Sequence, residues 1–319
     1  MLKRRFYDVL KQRFEREFYE PLRMQIGQSA VLAQKAAAPS FSHLWDAEIH
    51  VFSQWGEDGI LEYLCESLDI VKPKMLELGA GNFLECNSRF LAEQRNASVV
   101  AVDYREDLID SMRSLPLYWR TSLFPIKSWI TPESAPLLLA EAEKMMGGVD
   151  IVSLDIDGND YWVVETLNLD EVKIVIVEYN ALLGHLHPVS IPRDDHFNRE
   201  VSHSSCLYYG ASLRAWVHLL ETRGFSFAGT NRVGCNAFFV ESESVKSLSI
   251  EIPPTGDLSP YTDWRVRESR DESGKLSYLA GSERAAAISH LPLTNVVTGA
   301  TITVLVAHSP ESTGAEVGK

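Results

Sequence analysis

The sequence predicts an α/β protein built on a doubly wound, mostly parallel seven-stranded sheet. Three observations lead there. Short runs rich in Val, Ile and Leu, at 74–78, 98–103, 151–155 and 174–178, lack polar alternation, as strands covered on both faces do. Helix-like segments at 60–68, 86–94, 106–113, 132–146 and 161–167 lie around and between them. A last helix, 212–223, ends at Gly224 and precedes a strand pair at 225–229 and 236–240, which would close the parallel sheet with antiparallel strands. Punctuation agrees with this reading: Pro132 suits a first helical turn, and Gly147-Gly148 its end.

The 319 residues suffice for one large α/β domain with decorations. With 45% hydrophobic and 23% charged residues, the composition is that of a soluble globular protein. No run approaches the roughly 18–20 apolar residues that a bilayer span needs. The start, Met1-Leu2-Lys3-Arg4-Arg5-Phe6, is not followed by the apolar stretch of a secretory signal, so a cytoplasmic address is expected. Cys65, Cys86, Cys206 and Cys235 form no CxxC pair, which points to reduced, packed thiols. A formal net charge of −14 disfavours nucleic acid as a partner.

Charge is unevenly spread. Residues 1–40 hold eight Lys or Arg against four Asp or Glu. Within 2–26, Phe6, Val9, Leu10, Phe14, Phe18 and Leu22 recur at helical spacing. An arm packing on its own domain or on a second subunit explains that stripe; a helix lying on the inner face of a membrane is the alternative. The small residues at 36–42 read as a linker. The chain therefore divides into a helical arm and linker (1–45), the α/β domain (46–242) and a loop-rich C-terminal appendage (243–319). We expect one edge strand at 301–306 and a disordered end from 311.

The first strand runs through Glu77 into Gly79-Ala80-Gly81-Asn82. Two glycines permit a tight turn and close approach of a ligand. Glu77 is placed to take the ammonium of a bound amino acid. The next strand ends at Asp103, 22 residues after Gly81, where a carboxylate can receive both ribose hydroxyls. A nicotinamide site would want a third glycine at position 84, which is Leu84. The combination favours S-adenosylmethionine (SAM) over NAD. Upstream, Gly56 and Gly59 interrupt the helix pattern before Ile60. Such a turn can carry Gln54 or Glu57 over the cofactor's methionine end, or let Ser53 or Asp58 hold helix amides.

Ligands of open α/β sheets lie beyond the carboxyl ends of the strands, where Asp155, Asp157, Glu178 and Asn180 fall. Methyl transfer needs an oriented acceptor and a group to take its proton. Asp155 or a nearby histidine could serve as base; alternatively Asp155, Asp157 and Glu178 hold Mg²⁺, whose charge would relieve their mutual repulsion. Asp157 and Asn159 could instead cap the following helix. His185, His187, His196 and His203 crowd into 19 residues of a long connection, with His185 and His203 the favoured bases. Arg193 and Arg199 could hold an anionic acceptor, although solvated loop charges explain them as well.

Three segments resemble the FkbM-type methyltransferase family: 52–59 (Phe-Ser-Gln-Trp-Gly-Glu-Asp-Gly), 153–161 (Ser-Leu-Asp-Ile-Asp-Gly-Asn-Asp-Tyr), and 176–180 with 208–213. The similarity covers roughly residues 50–240. It implies a class I methyltransferase fold, SAM as cofactor and transfer to a hydroxyl, often of a sugar, in polysaccharide or natural-product biosynthesis. The arm and the tail depart from it. Two other function classes remain in view: an NAD-dependent oxidoreductase, and a non-catalytic assembly protein that keeps the fold and holds partners through its ends.

Overall fold

The computed structural model describes residues 18–309. The first half of the expected arm and the tail from 311 fall outside them. Among the described residues are ten strands: β1 (Lys74–Leu78), β2 (Ser98–Asp103), β3 (Ser122–Lys127), β4 (Ile151–Leu154), β5 (Ile174–Glu178), β6 (Val189–Ser190), β7 (Phe225–Thr230), β8 (Asn236–Glu241), β9 (Pro292–Asn295) and β10 (Thr301–Thr303). The helices are α1 (Glu20–Ala37), α2 (Glu57–Ser67), α3 (Arg89–Gln94), α4 (Glu106–Ser114), α5 (Pro116–Arg120), α6 (Ala135–Met146), α7 (Asp160–Val164), α8 (Arg199–Ser202), α9 (Leu213–Glu221), α10 (Ser282–Ala287) and α11 (Val304–Ala307).

Seven strands form the main sheet in the order β3-β2-β1-β4-β5-β8-β7. The first five pair in parallel, while β8 runs antiparallel between β5 and β7. Strand order reverses between β1 and β4, and that switch point opens a crevice at the strands' carboxyl ends. Alternate residues serve opposite cores. Leu76, Leu78, Val100, Val102, Val152 and Val175 face one, with α6, α7 and α9. Met75, Val99, Ala101, Ile151, Ile174 and Ile176 face the other, with α2, α3 and α4. Burial on both faces is why these strands read as unbroken apolar runs. β3 was not among those runs. It contains Pro125 and lies at the sheet edge, where a missing N–H costs no ladder bond.

Both ends of the chain correct the sequence reading. Of the expected stripe, Phe18 and Leu22 lie among the described residues and are 63% and 52% exposed; beyond it α1 packs through Gly27, Val31 and Gln34. A Cβ on Gly27 would sit 2.7 Å from Val51 Cγ2, so glycine sets how closely the helix approaches. Gln34 donates to the carbonyls of Ala47 and Gly59. The helix continues into the expected linker as far as Ala37, because Ala is the strongest helix former.

After residue 242 the chain packs into the α/β core. β9 and β10 join β6 in an antiparallel sheet, and Leu258, Trp264, Ile288, Leu293, Val304 and Ala307 belong to the same core as α9. The expected 301–306 strand stops at Thr303, whose hydroxyl accepts from Val306 N and starts α11. Among the described residues no helix is long and apolar enough to cross a membrane.

Candidate active site

The turn after β1 is closed onto both neighbouring strands. Gly79 N and Ala80 N donate to Val102 O at 3.0 and 3.1 Å, and Asp155 N donates to Leu78 O at 3.0 Å. Gly79 has φ +91°, and a Cβ there would lie 1.7 Å from Asp155 O. The first glycine is therefore demanded by the next strand's backbone as well as by the turn. Gly81, at φ +57°, has nothing within 4 Å of its Cβ position and faces open space.

Asp103, at the end of β2, accepts from Gly81 N at 3.1 Å and Arg105 N at 3.0 Å. Its carboxylate borders a cavity of about 250 Å³ whose walls include Tyr104, Trp129, Ile130 and Ile156. Tyr104 and Trp129 meet edge to face, their centroids 5.0 Å apart. A flat aromatic ring with a hydroxylated neighbour fits such a slot, since apolar walls take the ring and the carboxylate the hydroxyls. Gly79, Gly81, Asp155 and Asp157 also line a second cavity of about 490 Å³, so the two meet at the switch point.

Gln54, Glu57, Glu77 and Asn82 border the larger cavity, yet two of them are not the free groups the sequence suggested. Glu77 accepts from Asn87 N at 2.8 Å, Ser88 N at 3.2 Å and the Ser88 hydroxyl. It clasps the loop before α3 and is spent there instead of facing an ammonium. Burial pushes its carboxyl up against those bonds. Glu57 receives the Asn231 and Asn236 amides at 2.7 and 2.8 Å and Trp55 N at 2.9 Å. Gln54 reaches Glu85 at 3.5 Å across the rim, and Asn82 accepts from Leu84 N.

The capping reading of this turn also holds, in a changed form. Ser53 Oγ accepts from Asp58 N at the helix start, while Asp58 Oδ2 gathers the amides of Val51, Phe52 and Ser53. Asp58 thus holds the preceding loop. Burial pushes it up to about 6, the amide bonds opposing.

At the cavity floor, carboxylate oxygens of Asp155, Asp157 and Glu178 lie within 4.8 Å of one another. Asp157 does not cap α7: Asp160 takes the turn amides of Ile156 and Gly158, and Asn159 bonds the Asp194 backbone. Asp157, at φ +56°, pairs instead with Arg199. The Arg199 guanidinium stacks 3.9 Å from the Tyr209 ring centroid and donates to Cys206 O at 2.7 Å. Arg199 is therefore neither a solvated loop charge nor free for an anion. Burial, then Asp157, holds Asp155 above the usual carboxylate range; burial, then Asp155, does the same to Glu178. Solvent reaches Asp155 through the cavity, although the carboxylate sits deep at the sheet end. Glu178 Oε2 is buried without a hydrogen-bond partner. A proton shared between Asp155 and Glu178 would satisfy it.

Neither cavity is lined by a histidine, which corrects the expected bases. His203 bonds Ser205 Oγ at 2.8 Å and lies 6.2 Å from His290; burial and that neighbour lower it. The His185 carbonyl accepts from Arg214, away from the cluster. Crowding in sequence did not become convergence in space, because the connection spreads along β6 and the C-terminal sheet. Arg193 pairs with Glu133 and Asp195 at the surface. Conversely, Tyr209, Asn236, Trp264, Val266 and Glu268 line the larger cavity without having been singled out.

No protein-family model matches the sequence, and no curated protein matches it. Similar solved structures include the N-terminal domain of EvdMO1 with SAH bound, at 14% identity over 60% of this chain and 82% of that one, with TM-score 0.40. Methanococcus jannaschii fibrillarin pre-rRNA processing protein is 12% identical over 54% and 67%, with TM-score 0.36. Aeropyrum pernix fibrillarin in complex with natively bound S-adenosyl-L-methionine is 14% identical over 53% and 68%, with TM-score 0.33. Likeness at this level identifies no family. From its strand order and its single antiparallel insertion, the chain has the class I methyltransferase fold.

Proposed function

We propose that this chain is a SAM-dependent O-methyltransferase acting on a hydroxyl of a sugar or related polyol, as used in polysaccharide or natural-product biosynthesis. One observation carries the reading: an aromatic slot with Asp103 at its rim joins a larger polar cavity at a cluster of three carboxylates. The walls fit the donor. Asp103 can receive ribose hydroxyls, Tyr104 and Trp129 can flank a purine, and Gly81 leaves its side-chain space open. When bound, SAM supplies a methyl group already activated on a sulfonium. The chain's own residues hold the acceptor and its proton. Asp155, with Glu178 behind it, is the base the geometry supports, and Arg199 pairs with Asp157 beside them.

The NAD alternative is less well supported. A pyrophosphate needs free amides where the glycine loop enters its helix. Here α3 begins only at Arg89, and the amides of Asn87 and Ser88 already serve Glu77. A hard divalent cation such as Mg²⁺ is a second reading of the cluster, favoured by the convergence of its three oxygens. Calorimetric titration with SAM, S-adenosylhomocysteine (SAH) and NAD tests the donor: binding of NAD with no response to SAM overturns the proposal. Turnover of a labelled methyl donor, with and without EDTA, then separates the metal-assisted from the metal-free version. A chain that binds SAM but methylates nothing in any extract would be the assembly protein.

A further inference from the structure

We propose that the larger cavity selects a polyhydroxylated ring without negative charge and rejects phosphorylated or carboxylated acceptors, with the C-terminal segment supplying part of the discriminating wall. This rests on the methyl-transfer reading for its place in the reaction, but its evidence is separate. Among the described residues the lining contains seven carboxylates, Glu57, Glu77, Glu85, Asp155, Asp157, Glu178 and Glu268, and one cation, Arg199. That cation is committed to Asp157 and stacked on Tyr209. Arg193, the other arginine the sequence offered for an anion, is paired at the surface with Glu133 and Asp195. An entering phosphate or carboxylate would meet these acids and, among the described lining residues, no free guanidinium, in a recess where charges are poorly screened.

Two further observations point to hydroxyls. The lining residues Glu178 and Trp264 each carry a buried polar atom without a partner, an acceptor oxygen on one and the indole N–H on the other. A hydroxyl group both donates and accepts, so a polyol can answer both. Trp264 is 3% exposed and is fixed from behind: Arg284 donates to the carbonyls of Trp264 and Val266, each at 2.6 Å, and lies 5.0 Å from the Trp264 ring centroid. The wall at 264–268 therefore belongs to a clamped segment, which suits a surface that decides specificity.

Methyl glucoside, methyl glucosaminide and methyl glucuronide, identical rings bearing a hydroxyl, an amine or a carboxylate, are the probes. Ligand-observed saturation-transfer NMR ranks their binding to the full chain, with and without SAH. The neutral and amine-bearing rings should bind, and the glucuronide at least about tenfold more weakly, as expected for an unmatched charge in such a lining. In Glu268→Gln the gap should narrow by about threefold, and Trp264→Phe should weaken the neutral ring by about as much. A glucuronide bound as tightly as the glucoside overturns the proposal, as does no binding of any ring at about 50 mM. Loss of SAH binding alone removes the methyl-transfer reading and leaves the charge ranking to stand or fall by itself.

Discussion

The two halves of the proposed site, a donor side and an acceptor side, are built in different ways. The donor side comes from two adjacent strands and the turns that leave them, with Gly79, Gly81 and Asp103 held by backbone bonds between β1 and β2. The acceptor side is gathered from the ends of β4 and β5, from α8, from the start of β8 and from the segment at 264–268. One is local backbone chemistry, the other a meeting of remote segments. Mutations should therefore act on folding and donor binding at the first side, and on turnover and selectivity at the second.

The largest effect should come from Gly79→Ala. A methyl group 1.7 Å from Asp155 O, at φ +91°, forces β1 and β4 apart. We expect a loss of more than about 3 kcal/mol in urea unfolding, or no folded protein. Gly81→Ala, with open space around its Cβ, should cost only about 1 kcal/mol through its φ of +57°. Equal losses at both glycines would mean that the turn, not the strand contact, sets the requirement.

Next comes the split between the two sides. Asp103→Ala should abolish SAM binding by calorimetry. Asp155→Asn should keep the SAM dissociation constant within about threefold while turnover falls about 100-fold or more. If Asp155→Asn retains turnover, the cluster is not the base. The comparison would then have to be redrawn around the donor side alone.

Asp58 offers a smaller, pH-dependent test of the loop that borders the cavity. Its folded value, about 6, lies above the ordinary 3.8. The folded state thus binds the extra proton between those values, and the stability this contributes is full below about pH 3.8 and lost as pH rises through about 6. Urea midpoints of wild type measured against Asp58→Asn should diverge in the wild type's favour as pH falls across that window. Parallel curves would show that the three amides cancel the effect of burial on the carboxyl. The smallest effect belongs to Arg193→Ala. Its partners Glu133 and Asp195 are exposed, so turnover should stay within about twofold and the urea midpoint should barely move.

Legibility followed the same division. Strand positions, the glycine turn after β1 and the placement of Asp103 and of the acids at 155, 157 and 178 near strand ends could be read because period, glycine placement and strand ends are local signals. β3 escaped because Pro125 and an exposed edge weaken its pattern. Glu77 was placed correctly but given the wrong partner. Nothing in the sequence says that Asn87 and Ser88 fold back onto it. The histidines misled because nearness along a 19-residue connection carries no direction in space. Trp264 carried no signal at all, lying far along the chain in a segment of mixed composition.

By itself the sequence determined the alternation of strands and helices, the turn that needs glycine and the carboxylates at the strand ends, because each depends on a few neighbouring residues and their backbone angles. Only the tertiary structure decided which charges neutralise one another, that Arg199 belongs to Asp157, that Glu77 and Glu57 are spent on amides, and that the C-terminal segment lines the larger cavity. Those outcomes depend on burial and on partners distant in sequence, and both are set by how the layers pack.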